Sequence, residues 1–251
     1  MNILSVYRID RDNIGDMRSA PRLYFPFLGG DEADFSEMSR HDGERFAVVV
    51  GGGGCVDFHL FAPVVDFVGR GFGKVRVAWG CGTNSTTMVP DYRALRGYDL
   101  VGCRDWGSPF SWVPCASCMD PMFEGLRGFD PSTDVVGYFH HVRPFKNLGV
   151  PTLLNNEMDF TRVVGHLASG RVVVTNSYHG VYWATLLGRA VVMVEPWSSR
   201  FCFFRHKPTV ASWDDALEAA RKATCYPEAL DECRKANEDF AGEVERLLGS
   251  M

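Results

Sequence analysis

Long apolar runs are missing from this chain. No segment approaches the roughly 20 apolar residues that a membrane-spanning helix needs. The first residues, Met1-Asn-Ile-Leu-Ser-Val-Tyr-Arg8, lack the basic patch and long apolar stretch of a signal peptide. Basic clusters are scarce too, and the net charge is −5. Nucleic acid is therefore not an expected partner, because phosphate neutralisation needs grouped Lys and Arg. Paired cysteine motifs are lacking. Eight cysteines are scattered along the chain, and only Cys115 and Cys118 stand close together. A structural zinc site needs a second such pair or spaced histidines. Cys115-Ala-Ser-Cys118 thus reads as two packed or surface thiols, and no metal is expected. Scattered, unpaired cysteines fit a reducing, cytoplasmic location. Neither an internal repeat nor a low-complexity tract is present.

What remains is an ordinary globular composition, 251 residues with 46% apolar, enough for one large domain or two small ones. Short apolar runs alternate with helical patterns. Strands are expected at Asn2–Tyr7, Phe46–Val50, Val75–Trp79, Leu100–Cys103, Val135–Phe139, Thr152–Leu154, Val172–Thr175, Val191–Val194 and Thr209–Ala211. Apolar residues at successive positions mark strands covered on both faces. Helices are expected over Val56–Val68, Asp159–Ala168, Val181–Leu187, Trp213–Lys222 and Pro227–Leu248. Such alternation predicts an α/β fold with parallel sheets and right-handed crossovers. The Gly, Asp, Pro and Ser residues of Arg127–Thr133 suggest a break. Two Rossmann-like domains are expected, 1–128 and 129–251, about four strands each, facing one another across a cleft. Apolar or small residues at Leu230, Cys233, Ala236, Phe240, Val244 and Leu247 give the last helix one face, which can pack back on the first domain.

The strand ends carry the polar chemistry. The most informative stretch is Val172-Val-Val-Thr-Asn176-Ser177-Tyr-His179-Gly180, a β-branched strand that stops at polar residues before a small-residue helix. In open α/β sheets, ligands bind at the carboxyl ends of strands. A helix beginning there offers free N–H groups to an anion, and it disfavours the imidazolium form of His179. Earlier, Asn13-Ile-Gly15-Asp16 follows the first strand as a tight turn, with Asp16 as a candidate cap. Gly51-Gly52-Gly53-Gly54 follows the second and lets backbone approach a ligand. It has neither the Gly-Lys-Ser/Thr of a Walker loop nor the dinucleotide spacing. Trp79-Gly80-Cys-Gly82-Thr83 ends the third strand, and Arg104-Asp105 the fourth. Arginine suits bidentate contact with carboxylate or phosphate; an Arg104–Asp105 ion pair that merely shapes the loop is the alternative. Arg200, with Arg205, His206 and Lys207 beyond it, adds positive charge to the His179 edge, and His140 and His141 close another strand.

Taken in order, Asn13-Ile-Gly15-Asp16, Gly51–Gly54, Trp79-Gly80-Cys-Gly82, Arg104-Asp105-x-x-Ser108 and Asn176-Ser177-Tyr178-His179-Gly180 resemble the polysaccharide pyruvyl transferase family across most of residues 1–205. That family is similar in fold to two-domain glycosyltransferases of the GT-B type. The resemblance implies transfer of a pyruvyl group from phosphoenolpyruvate to a sugar as a ketal, in glycan biosynthesis. It implies catalytic roles for His179 and Arg104, and substrate binding by Asn13, Gly15, Asp16, Gly52, Gly53, Asn176, Ser177 and Arg200. No cofactor or metal is implied, since phosphoenolpyruvate is the donor substrate. The acceptor is a glycan or a lipid-linked sugar, which allows peripheral association with a membrane-bound acceptor. Three residues depart from the pattern. Ser177 and Tyr178 stand where relatives commonly carry Arg, and Arg200 where they often carry Lys. The chain is also shorter than typical members. Two alternatives stay open: a GT-B nucleotide-sugar glycosyltransferase, with Glu195 as the ribose-binding acid, and a non-catalytic glycan- or anion-binding relative.

Overall fold

Valine-rich segments without alternation become central strands of two parallel sheets. A computed structural model describes residues 2–250. In the first sheet, β1 (Asn2–Tyr7), β2 (Asp31–Asp34), β3 (Phe46–Gly51), β4 (Val75–Cys81), β5 (Leu100–Cys103) and β6 (Ser111–Trp112) lie in the order β2-β1-β3-β4-β5-β6. The second has β7 (Thr133–Phe139), β8 (Thr152–Leu154), β9 (Gly170–Thr175), β10 (Ala190–Val194) and β11 (Thr209–Ala211), ordered β11-β10-β9-β7-β8. Every strand pairing in both is parallel. Each sheet is buried on both faces. Leu4, Val6, Val48 and Val50 face one core and Ile3, Ala47, Val49 and Val77 another. Val136, Val173 and Val191 likewise alternate with Val172, Val174 and Val192. This double coverage is why the strands read as continuous apolar runs.

Strand order places the crevices. β1 lies between β2 and β3, so the chain leaves it toward one side and later returns on the other. Loops after β1 and β3 therefore diverge and open a crevice at their carboxyl ends. β7 lies between β8 and β9 and does the same in the second sheet. Both switch points supply walls of a single cleft of about 630 Å³, lined by Asn13, Asp16 and Gly52–Gly54 from one side and His140, His141, Trp197 and Arg200 from the other.

The helices are α1 (Ile14–Met17), α2 (Ala62–Gly69), α3 (Met122–Leu126), α4 (Phe160–Ser169), α5 (Tyr178–Leu186), α6 (Ala216–Ala220) and α7 (Ala229–Gly249). α7 ties the two cores together. Leu230 and Cys233 pack with the second sheet, while Phe240, Ala241 and Val244 pack with the first. Between them Asn237 accepts from Trp79 Nε1 at 2.8 Å and donates to Pro114 O at 3.2 Å. Cys115, Cys118 and Phe123 precede residue 129, yet they pack in the core of the second sheet.

Several elements differ from expectation. The sheets hold six and five strands rather than about four each. β2 escapes a hydropathy reading because Asp31, Glu32 and Asp34 supply three of its four residues. It is an edge strand, where charge is tolerated, and Tyr7 Oη and Arg8 bind Glu32 and Asp34. The expected helix from Val56 starts only at Ala62. Pro63 fits its first turn, and Asp57 is occupied by the Asn84 amide at 2.5 Å. α5 instead begins three residues before the expected Val181, which puts His179 in its first turn. No described helix is long and apolar enough to cross a membrane.

Candidate functional site

The loop after β1 is held between the two halves of the cleft. Asn13, not Asp16, is the N-cap of α1: its Oδ1 accepts from Gly15 N at 3.1 Å. The same oxygen accepts from Asn155 Nδ2 at 3.2 Å, and Ile14 N donates to Asn155 O at 3.2 Å. Asn13 Nδ2 donates to Asp16 Oδ2 at 3.0 Å, so the cap also orients the carboxyl group. Asp16 faces the cleft and has no salt-bridge partner among the described residues. Burial pushes its carboxyl up to about 6 against the opposing pull of Arg200. Across the cleft floor, Gly52 and Gly53 take left-handed φ angles of 65° and 83°, which glycine adopts without strain. Gly54 makes room for arginine: a Cβ there would lie 3.0 Å from Arg104 Nη2.

Arg104 emerges just after β5 and is 3% exposed. Its stem packs on Gly82, where a Cβ would meet Arg104 Cγ at 2.7 Å. The guanidinium stacks on the Tyr178 ring, 3.9 Å from its centroid. Nε and Nη2 have no hydrogen-bond acceptor. Asp105 does not supply one. It accepts from Thr83 N at 2.7 Å and Tyr92 Oη at 3.2 Å, and no Arg104–Asp105 salt bridge forms among the described residues. The loop-shaping ion pair is thus replaced by a structural Asp105 and an unpaired cation. Buried polar groups are almost always satisfied, and an unpaired buried cation is costly, so this guanidinium is poised for an anion.

The opposite wall comes from β9 and α5. Thr175 Oγ1 donates to Tyr138 O at 2.5 Å and accepts from Ser177 N at 3.0 Å, which turns the chain sharply into α5. Asn176 accepts from His140 N at 2.8 Å and donates to Pro144 O at 3.5 Å, so both ends of its amide brace the loop after β7. Asn176 shapes the site rather than offering its amide to it. Ser177 lies at the helix start without capping it through its side chain. The first-turn N–H groups of α5 are orphans by helix geometry.

His179 is 7% exposed, with its ring 4.8 Å from Trp183. Nε2 lies 3.6 Å from Cys115 Sγ. Nδ1 lies on the α1 side: a Cβ on Gly15 would sit 2.1 Å from it. Burial first, then Arg104 and Arg200, hold the imidazole well below its usual basicity, so it is neutral. The neutral state follows from burial and two guanidinium groups as its leading causes. Arg200 stacks on Trp197 at 4.1 Å, and Arg143 approaches the same ring at 4.1 Å. Burial and the nearby Arg104 bring Arg200 down to about 9. His140 falls to about 4 by burial and by Arg200.

Asn13, Asp16, Gly53, Arg104, Ser177, His179 and Arg200 thus line one small, deep chamber of about 20 Å³, which shares Asn13, Asp16, Gly53 and Arg200 with the outer cleft. Gly15 packs against the imidazole, Gly52 lines the outer cleft, and Asn176 braces from behind. Glu195 is exposed and outside the cleft lining. Arg205 and His206 bind Glu232 of α7 at 2.8 and 2.9 Å, away from the site. Sequence reasoning missed Asn155, Cys115, Tyr178, Arg143 and Trp197 as site residues. Tyr178 carried a signal inside the Asn176–Gly180 motif, and so did Trp197, an aromatic beside the Arg200 segment after a strand.

No protein-family model matches the chain, and no curated protein matches it. The fold is similar to the crystal structure of an uncharacterised protein from Klebsiella pneumoniae subsp. pneumoniae NTUH-K2044, with a TM-score of 0.52. The two share 17% sequence identity over 84% of this chain and 92% of that one, a likeness that bears on the fold alone. The chain is an α/β protein with two parallel, Rossmann-like sheets.

Proposed function

We propose that this protein is a ketal pyruvyl transferase, moving the pyruvyl group of phosphoenolpyruvate onto two hydroxyls of a sugar. The two halves are read as a GT-B-like pair with the reaction in the cleft between them. One observation carries the reading: a buried Arg104 with unsatisfied Nε and Nη2, in one chamber with Arg200 and a neutral His179. Phosphoenolpyruvate brings a carboxylate and a phosphate. Arg104 suits bidentate capture of one, while Arg200 and the start of α5 suit the other. His179, already neutral, is ready to take a proton from an attacking hydroxyl. The acceptor, a glycan or lipid-linked sugar, occupies the outer cleft, which Phe58, Phe61 and Trp197 help to line.

The exposed Glu195 gives the nucleotide-sugar alternative no support. The test is phosphate release from phosphoenolpyruvate, measured against galactose-, mannose- and N-acetylhexosamine-containing acceptors beside a known pyruvyl transferase. Release with at least one acceptor, and its loss in Arg104→Met, is expected. Silence with all of them, or stabilisation by nucleotide sugars but not by phosphoenolpyruvate, overturns the reading.

A further inference from the structure

Ketal formation moves more protons than one histidine handles. The enol carbon C3 gains a proton, both sugar hydroxyls lose theirs, and the departing phosphate takes one. Two groups that start in opposite protonation states close this cycle, a neutral base and a protonated acid. His179 fills the first place. Among the described residues that line the deep chamber, Asp16 is the carboxyl group.

We propose that Asp16, which lines the same chamber as His179, is the second proton-transfer residue: it protonates C3 of the enol and later deprotonates the second hydroxyl. The inference rests on the pyruvyl-transfer reading. Geometry carries it. Asp16 comes from the first half and His179 from α5 of the second, and the two meet in one chamber, with Gly15 beside Asp16 packed against the imidazole. Asn13 holds Oδ2 at 3.0 Å. Oδ1 has no hydrogen-bond donor within the described residues, which leaves it to face a substrate. No cation lies within salt-bridge distance to lock the group in its charged form. Binding by a carboxylate is also poor chemistry for an anionic donor, since like charges repel.

The bookkeeping of atoms closes. Neutral Asp16 gives its proton to C3, and the first hydroxyl adds to C2 as His179 takes the hydroxyl proton. The C2–O bond to phosphate then breaks, and the imidazolium returns its proton to the departing phosphate. The second hydroxyl adds to C2 and gives its proton to the Asp16 carboxylate. Two hydroxyl protons have moved, one to C3 and one to phosphate, and both residues are back where they began. No oxidant or metal enters.

The charges around Asp16 fit this role. Arg200, Arg104 and Arg8 favour its carboxylate, while Asp10 disfavours it. Burial outweighs them and leaves the carboxyl at about 6. His140 and His179 share its chamber and are both neutral near that pH. An acid titrating close to the working pH is what general acid catalysis asks for.

The experiment compares wild type with Asp16→Asn and Asp16→Glu in phosphate release over pH 5–9, with phosphoenolpyruvate affinity measured by calorimetry. Asp16→Asn keeps the hydrogen bond from Asn13, and its melting temperature reports folding. Wild-type kcat is expected to fall as pH rises above about 6. Asp16→Asn should lose on the order of 100–10,000-fold in kcat, with the fall above pH 6 abolished and phosphoenolpyruvate binding kept or tightened. Asp16→Glu should restore part of the rate and a pH-dependent limb. An active wild type beside an Asp16→Asn variant with unchanged kcat and limb sinks the inference alone. A raised KM with unchanged kcat also sinks it, since that marks a binding role. A wild type silent with every acceptor sinks the pyruvyl-transfer reading, and the inference falls with it.

Discussion

Gly15→Ala is the substitution whose effect follows most directly from geometry. The added Cβ would stand 2.1 Å from His179 Nδ1 and 2.8 Å from Cε1 and Cγ. An ordinary contact needs at least 3.4 Å, so either the imidazole or the β1–α1 turn must move by more than 1 Å. Neither is free to do so cheaply. Cys115 and Trp183 hold the ring from behind, and Asn155 holds the turn at Ile14 and Asn13. Overpacking of this kind costs about 1–3 kcal/mol, and in a chain of this size each kcal/mol lowers the melting temperature by about 2–4 °C. Activity should suffer more than stability. A misplacement of about 1 Å at a reacting group can lower the rate on the order of 100-fold. The assay is phosphate release from phosphoenolpyruvate alongside a thermal melt. A Gly15→Ala variant with wild-type kcat would refute the placement of His179 against this turn.

Arg104→Lys keeps the charge but loses the fork that meets an anion in two places; phosphoenolpyruvate affinity should drop about 10- to 100-fold by calorimetry, with the fold intact by circular dichroism. Asn237→Ala removes the acceptor of Trp79 Nε1 and the donor to Pro114 O inside the core; at about 1–3 kcal/mol for an orphaned buried group, the melting temperature should fall by about 2–12 °C, while a change under 1 °C would deny α7 its bracing role. Asp16 links stability to pH. Its carboxyl titrates at about 6 in the folded protein, against 3.8 as the ordinary value, so the folded form binds the proton more tightly. That contribution is fully present below pH about 4 and is lost as pH rises through about 6, after which the folded protein carries the cost of the charge. Asp16→Asn should therefore stabilise the protein at pH 8 by about 1–2 kcal/mol after solvent screening, read as a higher melting temperature, and change nothing near pH 3.5; a loss of stability at pH 8 would contradict the burial of that carboxylate.

Much of the fold was legible because parallel strands buried on both faces leave unbroken valine runs. β1, β5, β8 and β11 match the expected ranges residue for residue. β2 was illegible since its stability comes from an edge position and from Tyr7 and Arg8, which lie elsewhere in the chain. The site was half legible. Polar residues at strand ends announced Asn13, Asp16, Arg104 and His179, as strand-end chemistry does in α/β sheets. Their roles depended on contacts that no local pattern encodes. Asn13 rather than Asp16 caps α1 because Asn155, 142 residues away in sequence, completes its hydrogen bonds. Asp105 makes no hydrogen bond to Arg104: its Oδ2 accepts from Thr83 and Tyr92, and its charge acts on the guanidinium only from a longer distance. Asn176 looks like a ligand-binding amide in sequence, yet both of its ends are consumed by the loop after β7.

The charges of the chamber argue together for an anionic occupant. Arg200 falls to about 9, by burial first and then by the nearby Arg104. Two guanidinium groups that repel inside a cleft cost the fold stability. A structural role would have been served by pairing them with Asp105 or Asp16, and neither pairing occurs. Asp105 is turned to Thr83 and Tyr92, and Asp16 to Asn13. The unfavourable arrangement persists because the surrounding glycines and stacked rings over-determine it: Gly54 and Gly82 around Arg104, Tyr178 beneath it, Trp197 beside Arg200. Destabilising charge held by a rigid frame is the signature of a site preorganised for its ligand. An anion entering between Arg104 and Arg200 would relieve their repulsion, and it would raise the basicity of His179, as the proposed transfer requires of a base.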